Sequence, residues 1–239
     1  MQVFQPTTLD EHTECPYLPE RSKQYRYFLA GNVTKGEMDE LLHVGWRKFG
    51  IYFFSPACFG CRQCVPVRIP VGSFSPSRSQ RRIWRKNSDV RVEFKPLTFS
   101  PAIFEIYSQH SVERFGQETS LDEFLFSFFL PSCPSLQAEY YLGEQLIGVG
   151  FLDYGQVSLS SVYFAFDPHY SARRLGTFSV LKEIEFARSK GFHNYYLGYF
   201  VPGCSRMLYK SSFLPCEFFS WEENTWLASL RPNNSPSQI

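Results

Sequence analysis

The most chemically pointed stretch of the 239-residue chain is Ser77-Arg78-Ser79-Gln80-Arg81-Arg82-Ile83-Trp84-Arg85-Lys86-Asn87. Arg78, Arg81, Arg82 and Arg85 stand at i, i+3, i+4 and i+7, the spacing that puts four guanidiniums on one stripe of a helix. Ser75 or Ser77 can cap the start of that helix, and Asn87 can end it. With Lys86 the run is purely cationic, and like charges at i, i+4 cost roughly a few tenths of a kcal/mol per pair. A docked polyphosphate would remove that cost, and guanidinium forks match phosphate oxygens. From Arg68 to Lys95 there are eight basic and two acidic residues, so the formal net charge of +1 conceals one localised cationic segment. A solvated face normally mixes signs, so this segment points to contact with a nucleic-acid backbone.

Other residues offer different chemistry. Cys58-x2-Cys61-x2-Cys64 together with Cys15 would supply four thiolates to zinc or an iron–sulfur cluster. The same cysteines, among Pro56, Gly60 and Pro66, also fit a tight loop of packed thiols, and both readings stand. Asp167 directly follows an apolar run: it can hold an amine, or simply initiate the turn at Pro168. The histidines at 12, 43, 110, 169 and 193 show no metal-ligand spacing, and His169 is expected to face solvent without a catalytic role. No P-loop or GxSxG element is present, which excludes those NTPase and serine-hydrolase readings. Seven cysteines, an odd number, read as reduced thiols and not a disulfide framework.

The elements that must position these groups follow from pattern. A mean hydropathy of -0.24 and a longest apolar stretch near residues 124–130 exclude a multi-span membrane protein. The acidic N-terminal stretch does not read as a secretory signal, so a cytoplasmic location is expected. Residues 1–95 read as a smaller, irregular, cysteine-containing region with a short helix at 38–46. Strands are expected at 51–54, 65–71 and 90–94, with Pro66 and Pro70 arguing for an edge position. A boundary falls at 95–101, where Ser100-Pro101 starts a helix to 115. Ser120-Leu-Asp-Glu123 has capping-box spacing for a second helix. A hairpin at 137–153, a strand at 157–166 and a long amphipathic helix from Leu175, stopped by Gly191, come next. A strand at 192–199, a short helical segment near Arg206 and a strand at 217–221 complete residues 96–229 as the catalytic domain. Residues 230–239 are expected to be a disordered tail.

This α+β order resembles the GNAT acyltransferase fold. In that fold a Gln/Arg-x-x-Gly-x-Gly/Ala turn before the long helix cradles a donor's phosphates by backbone N–H groups. Arg173-Arg174-Leu-Gly176-Thr-Phe stands at that place, with one glycine where the fold family has more. The chain also resembles the aminoacyl-tRNA–protein transferases, particularly the bacterial aspartate/glutamate leucyltransferases. The matching pieces are Cys15-Pro-Tyr-Leu-Pro19, the run from Pro56 to Arg68, Phe74 to Arg82, Ser161 to Pro168, Arg174 to Phe178, Tyr196 to Tyr199 and Pro202 to Lys210. They occur in family order.

The resemblance implies transfer of an amino acid from the 3′ end of its tRNA to the α-amine of a protein beginning with Asp or Glu. That new N-terminal residue marks the protein for degradation by the N-end rule. Bacterial members use leucine and eukaryotic relatives arginine. The implied partners are leucyl-tRNA and proteins with an acidic N-terminus, with neither DNA nor a membrane. Aminolysis of an activated ester needs a deprotonated amine, donors for the oxyanion and accurate positioning, and no cofactor. Arg78, Arg81, Arg82, Arg85 and Lys86 are the expected tRNA contacts. Arg174, Arg206 or Lys210 would read the acceptor's carboxylate, and Asp167 would hold its amine. Tyr163, Tyr199 and Tyr209 could donate to the oxyanion or stack on the terminal adenine. Iron–sulfur binding in eukaryotic relatives favours a metal at Cys15, Cys58, Cys61 and Cys64. The competing functions are arginyl transfer, CoA-dependent N-acetylation, which needs no such cationic segment, and a non-enzymatic RNA-binding module.

Overall fold

Residues 1–229 are described by the computed structural model, so the tail expected at 230–239 lies outside the described residues. The chain opens with β1 (Gln2–Leu9), β2 (Thr13–Glu14), β3 (Ser22–Lys23) and β4 (Tyr25–Gly31), then α1 (Lys35–His43), β5 (Arg47–Phe49) and β6 (Tyr52–Pro56). β1, β4, β6 and β5 pair in that order as an antiparallel sheet. The first third of the chain is therefore regular, contrary to the irregular region expected. Its first strand escapes pattern reading because β1 is almost wholly exposed and its register against β4 slips twice. With no buried face, no period-2 alternation is imposed on it.

Next come β7 (Val65–Pro70), α2 (Arg78–Lys86), β8 (Val90–Lys95), α3 (Pro101–Phe115) and α4 (Leu121–Phe128). They are followed by β9 (Ser135–Leu142), β10 (Gln145–Tyr154), β11 (Ser158–Phe166), a 3-10 turn at Pro168–Arg173 and α5 (Leu175–Ser189). β12 (Asn194–Phe200), a 3-10 segment at Ser205–Ser212, β13 (Glu217–Ser220) and β14 (Thr225–Ala228) complete the described chain. The large sheet has the order β14-β13-β7-β12-β11-β10-β9-β8. It thus draws strands from both sides of residue 95. β7 lies inside the sheet, where its prolines had argued for an edge. β13 covers only Val67 and Arg68, so Pro66 and Pro70 lie beyond that overlap and cost no β13 hydrogen bond.

Alternate residues of the central strands send apolar side chains to opposite faces. On one face Phe178, Leu181 and Ile184 of α5 bury against Ile147, Leu159 and Tyr195. On the other, Ile103 and Ile106 of α3 and Phe124 and Phe128 of α4 bury against Val149, Phe151 and Ala165. Each such side chain contributes roughly 1.5–3 kcal/mol by leaving water. A third cluster joins Met38 and Leu42 of α1 to Phe28, Phe53 and Tyr196 of β12, which seats the small sheet on the large one. α1, α2 and α4 each begin with a complete capping box, at Thr34, Ser77 and Ser120. No helix among the described residues is long and apolar enough to cross a membrane.

Candidate active site between two parting strands

α2 forms as its spacing dictates. Gln80, Ile83 and Asn87 are buried, while Arg78, Arg81, Arg82, Arg85 and Lys86 are exposed. Ile83 and the half-buried Trp84 face α5, with Trp84 set edge-on to Phe178 at 6.3 Å. Arg81 donates to the Pro76 carbonyl at 2.5 Å. Arg78, Arg82 and Arg85 have no protein partner among the described residues. Lys86 differs from the other four: its Nζ donates to the Ala172 carbonyl at 2.7 Å, and Asn87 Nδ2 donates to the Arg173 carbonyl at 3.0 Å. Arg173 grips Asp89 through two bonds of 2.8 and 2.9 Å. The C-terminal end of the cationic helix is therefore pinned to the turn that precedes α5.

That turn is built for close approach. Arg174 is left-handed, with φ of +58°, and its carbonyl accepts from Thr177 and Phe178 as α5 begins. A Cβ on Gly176 would meet nothing within 4 Å, so open space lies in front of the first turn. The leading N–H groups of a helix have no intrahelical partner and attract anions. Asp167 does not present a free carboxylate here. It accepts from the His169 backbone N–H at 3.0 Å and lies 2.8 Å from His169 Nδ1, so it caps the 3-10 turn and holds the imidazole. His169 is solvent-facing, as expected, and lines an open cleft of about 510 Å³ with Pro168 and with Ser108, Gln109, Val112 and Glu113 of α3.

β11 and β12 are parallel neighbours, yet they pair only between Ser158–Ser160 and Asn194–Tyr196. Beyond that they part, although β11 runs to Phe166 and β12 to Phe200. Cations from elsewhere occupy the gap. On the β11 side Arg47 Nη1 donates to Ser160 Oγ at 2.7 Å, and Nη2 donates to the Ser161 carbonyl. On the β12 side Lys210 Nζ donates to the Tyr199 carbonyl at 2.8 Å. Gly198, with φ of +88°, lies between them. A Cβ there would come 3.2 Å from Lys210 Nζ and 3.7 Å from Arg47 Nη2. Burial, and then the neighbouring Arg47, bring the Lys210 ammonium down to about 7.

Beneath the gap Glu183 of α5 is fully buried and accepts from the Tyr195 hydroxyl at 2.5 Å. Burial pushes its carboxyl up to about 7, against the opposing hydrogen bonds from Tyr195 and Ser161. Its other oxygen is buried without a hydrogen-bond partner. The Tyr209 side chain is exposed overall, but burial at its hydroxyl, then the Glu183 carboxylate, lift that hydroxyl to about 12, with Arg114 opposing. It therefore remains a donor at neutral pH.

The remaining expected residues fall elsewhere. Tyr199 is buried, and its hydroxyl donates to the Gly45 carbonyl at 2.8 Å, so it joins the two sheets and offers no free donor. Arg206 is exposed and donates to the Pro16 carbonyl at 3.2 Å, fastening the Cys15–Pro19 segment to the 3-10 segment that bears Lys210. Cys58 is buried, donating its thiol to the Gln24 carbonyl at 3.5 Å, while Cys15, Cys61 and Cys64 are half-buried. Among the described residues no three His, Cys, Asp or Glu side chains are placed to share a metal ion. Burial, and then the neighbouring Cys58, Cys15 and Cys61, push the Cys64 thiol up to about 12, so the four expected thiols share one neighbourhood. Sequence reasoning missed Arg47 and Glu183, because nothing local distinguishes a strand arginine or a helix glutamate from a solvated one.

A cationic helix tied to the start of α5 thus lies beside two parted strands with donors and a buried acid, an arrangement that a transferase can use. Comparisons with known proteins give the same class. Two family models match, arginine-tRNA-protein transferase, N terminus, over residues 13–82 and its C terminus over residues 102–220. The aspartate/glutamate leucyltransferase of Marinobacter nauticus is 34% identical over 209 residues, covering 85% of this chain and 88% of that protein. Those of Chromobacterium violaceum and Helicobacter hepaticus are 33% and 32% identical, covering 85% and 87% of this chain and 86% and 89% of the relatives. The chain belongs to the aspartate/glutamate leucyltransferase family. Among solved structures, FemX aligns with a TM-score of 0.45 at 10% identity, covering 67% of this chain and 59% of that one.

Proposed function

We propose that this enzyme transfers leucine from leucyl-tRNA to the α-amine of proteins whose first residue is Asp or Glu. The observation that carries the reading is the physical continuity between the free arginines of α2 and the start of α5. Lys86 and Asn87 bond to the carbonyls of Ala172 and Arg173. A tRNA acceptor arm lying on Arg78, Arg81, Arg82 and Arg85 would bring its 3′ end to the Arg174–Gly176 turn, where helix N–H groups receive a phosphate. The aminoacyl ester then enters between β11 and β12 in a GNAT-like manner. Tyr209, kept protonated, is the donor proposed for the ester carbonyl as it becomes an oxyanion. The amine attacks the ester carbon, the ribose oxygen leaves with the bonding pair, and the amine's proton passes to solvent or to that oxygen. Holding the two reactants in place supplies most of the acceleration.

Leucine is preferred over arginine because the full-length relatives bear the leucyl name, although the family models bear the arginyl one. Marking proteins for degradation by the N-end rule in the cytoplasm is the biological role that follows. The test is transfer of radiolabelled leucine from leucyl-tRNA to peptides beginning with Glu, Asp or Ala, with arginyl-tRNA run in parallel. Label on the Glu and Asp peptides alone supports the reading. No label from either tRNA would remove it, and label from arginyl-tRNA alone would convert it to arginyl transfer.

A further inference from the structure

We infer that Arg47 and Lys210 together form the receptor for the side-chain carboxylate of the acceptor's first residue. The inference rests on the transfer reading above for the identity of the carboxylate. Its basis is the parting of β11 and β12. Where two parallel strands separate, the carbonyls on their facing edges lose their partners, and buried carbonyls demand donors. Here the donors are two cations, Arg47 for Ser161 and Lys210 for Tyr199. Neutral side chains would satisfy those carbonyls with no charge to desolvate.

Neither cation has a carboxylate partner among the described residues. The carboxylate that most influences Arg47 is Asp153, and it is already paired with Lys48 at 3.2 Å. The two cations converge on Gly198, where the missing side chain keeps the space between them clear. Both remain partly open to solvent. A guanidinium and an ammonium brought together in a half-enclosed gap without a counter-ion oppose one another, which after burial helps bring the ammonium down to about 7. An anion entering between them would hold both charged. A carboxylate fits the arrangement: one oxygen to Lys210 Nζ and the other to the guanidinium edge, as charge-assisted bonds.

Asp167 lies six residues beyond Ser161 along β11, about 20 Å away at the rise of a strand. It cannot hold the amine of a residue whose carboxylate sits at Arg47. The receptor also explains why the small N-terminal sheet is joined to the catalytic half: β5 exists to deliver Arg47 to a gap in the other sheet.

The test compares binding of C-terminally labelled peptides beginning with Glu or with Gln, by fluorescence anisotropy. The proteins are wild type, Lys210→Gln, Lys210→Arg and Arg47→Lys, each checked for folding by circular dichroism. Leucyl-tRNA affinity and transfer kinetics are measured in parallel. The wild type is expected to bind the Glu peptide at least tenfold more tightly than the Gln peptide. Lys210→Gln should erase that preference, Lys210→Arg should keep most of it, and none should alter tRNA affinity. Equal wild-type affinity for the two peptides overturns the inference without any variant being needed. So does a preserved preference in folded Lys210→Gln, or a loss confined to tRNA affinity or to kcat, which would assign the cations to a phosphate or to the oxyanion. A Glu preference without leucyl transfer would leave the receptor standing and remove the transfer reading, and transfer without any preference would do the reverse.

Discussion

Replacing Arg78, Arg82 and Arg85 together by Gln should flatten the salt dependence of tRNA binding by a calculable amount. These three guanidiniums are the ones on α2 that are exposed and have no protein partner, so all three are available to phosphates. Each phosphate neutralised contributes about 0.9 to the slope of log affinity against log salt for a duplex, so the loss should be about 2.7. Between 50 and 200 mM salt the gap between wild type and variant should therefore narrow by about 40-fold. Gln has nearly the helix propensity of Arg, and the substitution relieves like-charge repulsion, so α2 should persist. Lys86→Met is the smaller comparison: its exposed ammonium keeps its charge while donating to the Ala172 carbonyl, so the slope should fall by at most about 0.9. The assay is filter binding or anisotropy with leucyl-tRNA across a salt series. A triple variant with the wild-type slope would refute the reasoning, because the stripe would then be merely solvated.

Glu183→Gln should change how stability depends on pH. The carboxyl is raised from about 4.5 unfolded to about 7 folded, so its neutral form is the one the fold prefers, and stability is lost as pH rises from 4.5 through 7. A shift of that size corresponds to about 3 kcal/mol, so urea unfolding should show the Glu183→Gln variant gaining up to that much over wild type at pH 8 relative to pH 4.5. Parallel pH profiles for the two proteins would contradict the burial argument. Lys48→Met should cost about 3–5 kcal/mol in urea unfolding, because it strands the buried Asp153 carboxylate, now 3.2 Å from the ammonium. A loss below about 1 kcal/mol would mean that water reaches Asp153. Incubation with a chelator followed by desalting should leave leucyl transfer within about twofold of the untreated enzyme, since the aminolysis needs no metal; restoration of lost activity by added zinc or iron would reinstate a metal site at Cys15, Cys58, Cys61 and Cys64.

The principal helices were legible from pattern. The Ser120–Glu123 capping box forms with both of its bonds, and Gly191 takes the left-handed φ of +77° that ends α5. The i, i+3, i+4, i+7 arginines lie exposed on α2 as their spacing required. These features are local, each decided within one or two turns of chain. The N-terminal sheet was not legible, because β1 carries no buried face and its strands are completed only by pairing with β4. β7 was misplaced at an edge for a related reason: the short reach of β13, which spares the two prolines, is a property of the sheet.

The same division governs the site. Residue types and intervals along the chain determined that a cationic helix, a turn before a long helix and a family-specific set of motifs would exist. Only the tertiary structure decided that Lys86 fastens that helix to the turn, that Asp167 is occupied by His169, and that Arg47 and Lys210, 163 positions apart, meet at Gly198. Periodicity records which face of an element is buried. It holds no record of which distant side chain fills the gap where two strands part, because that depends on how whole sheets dock.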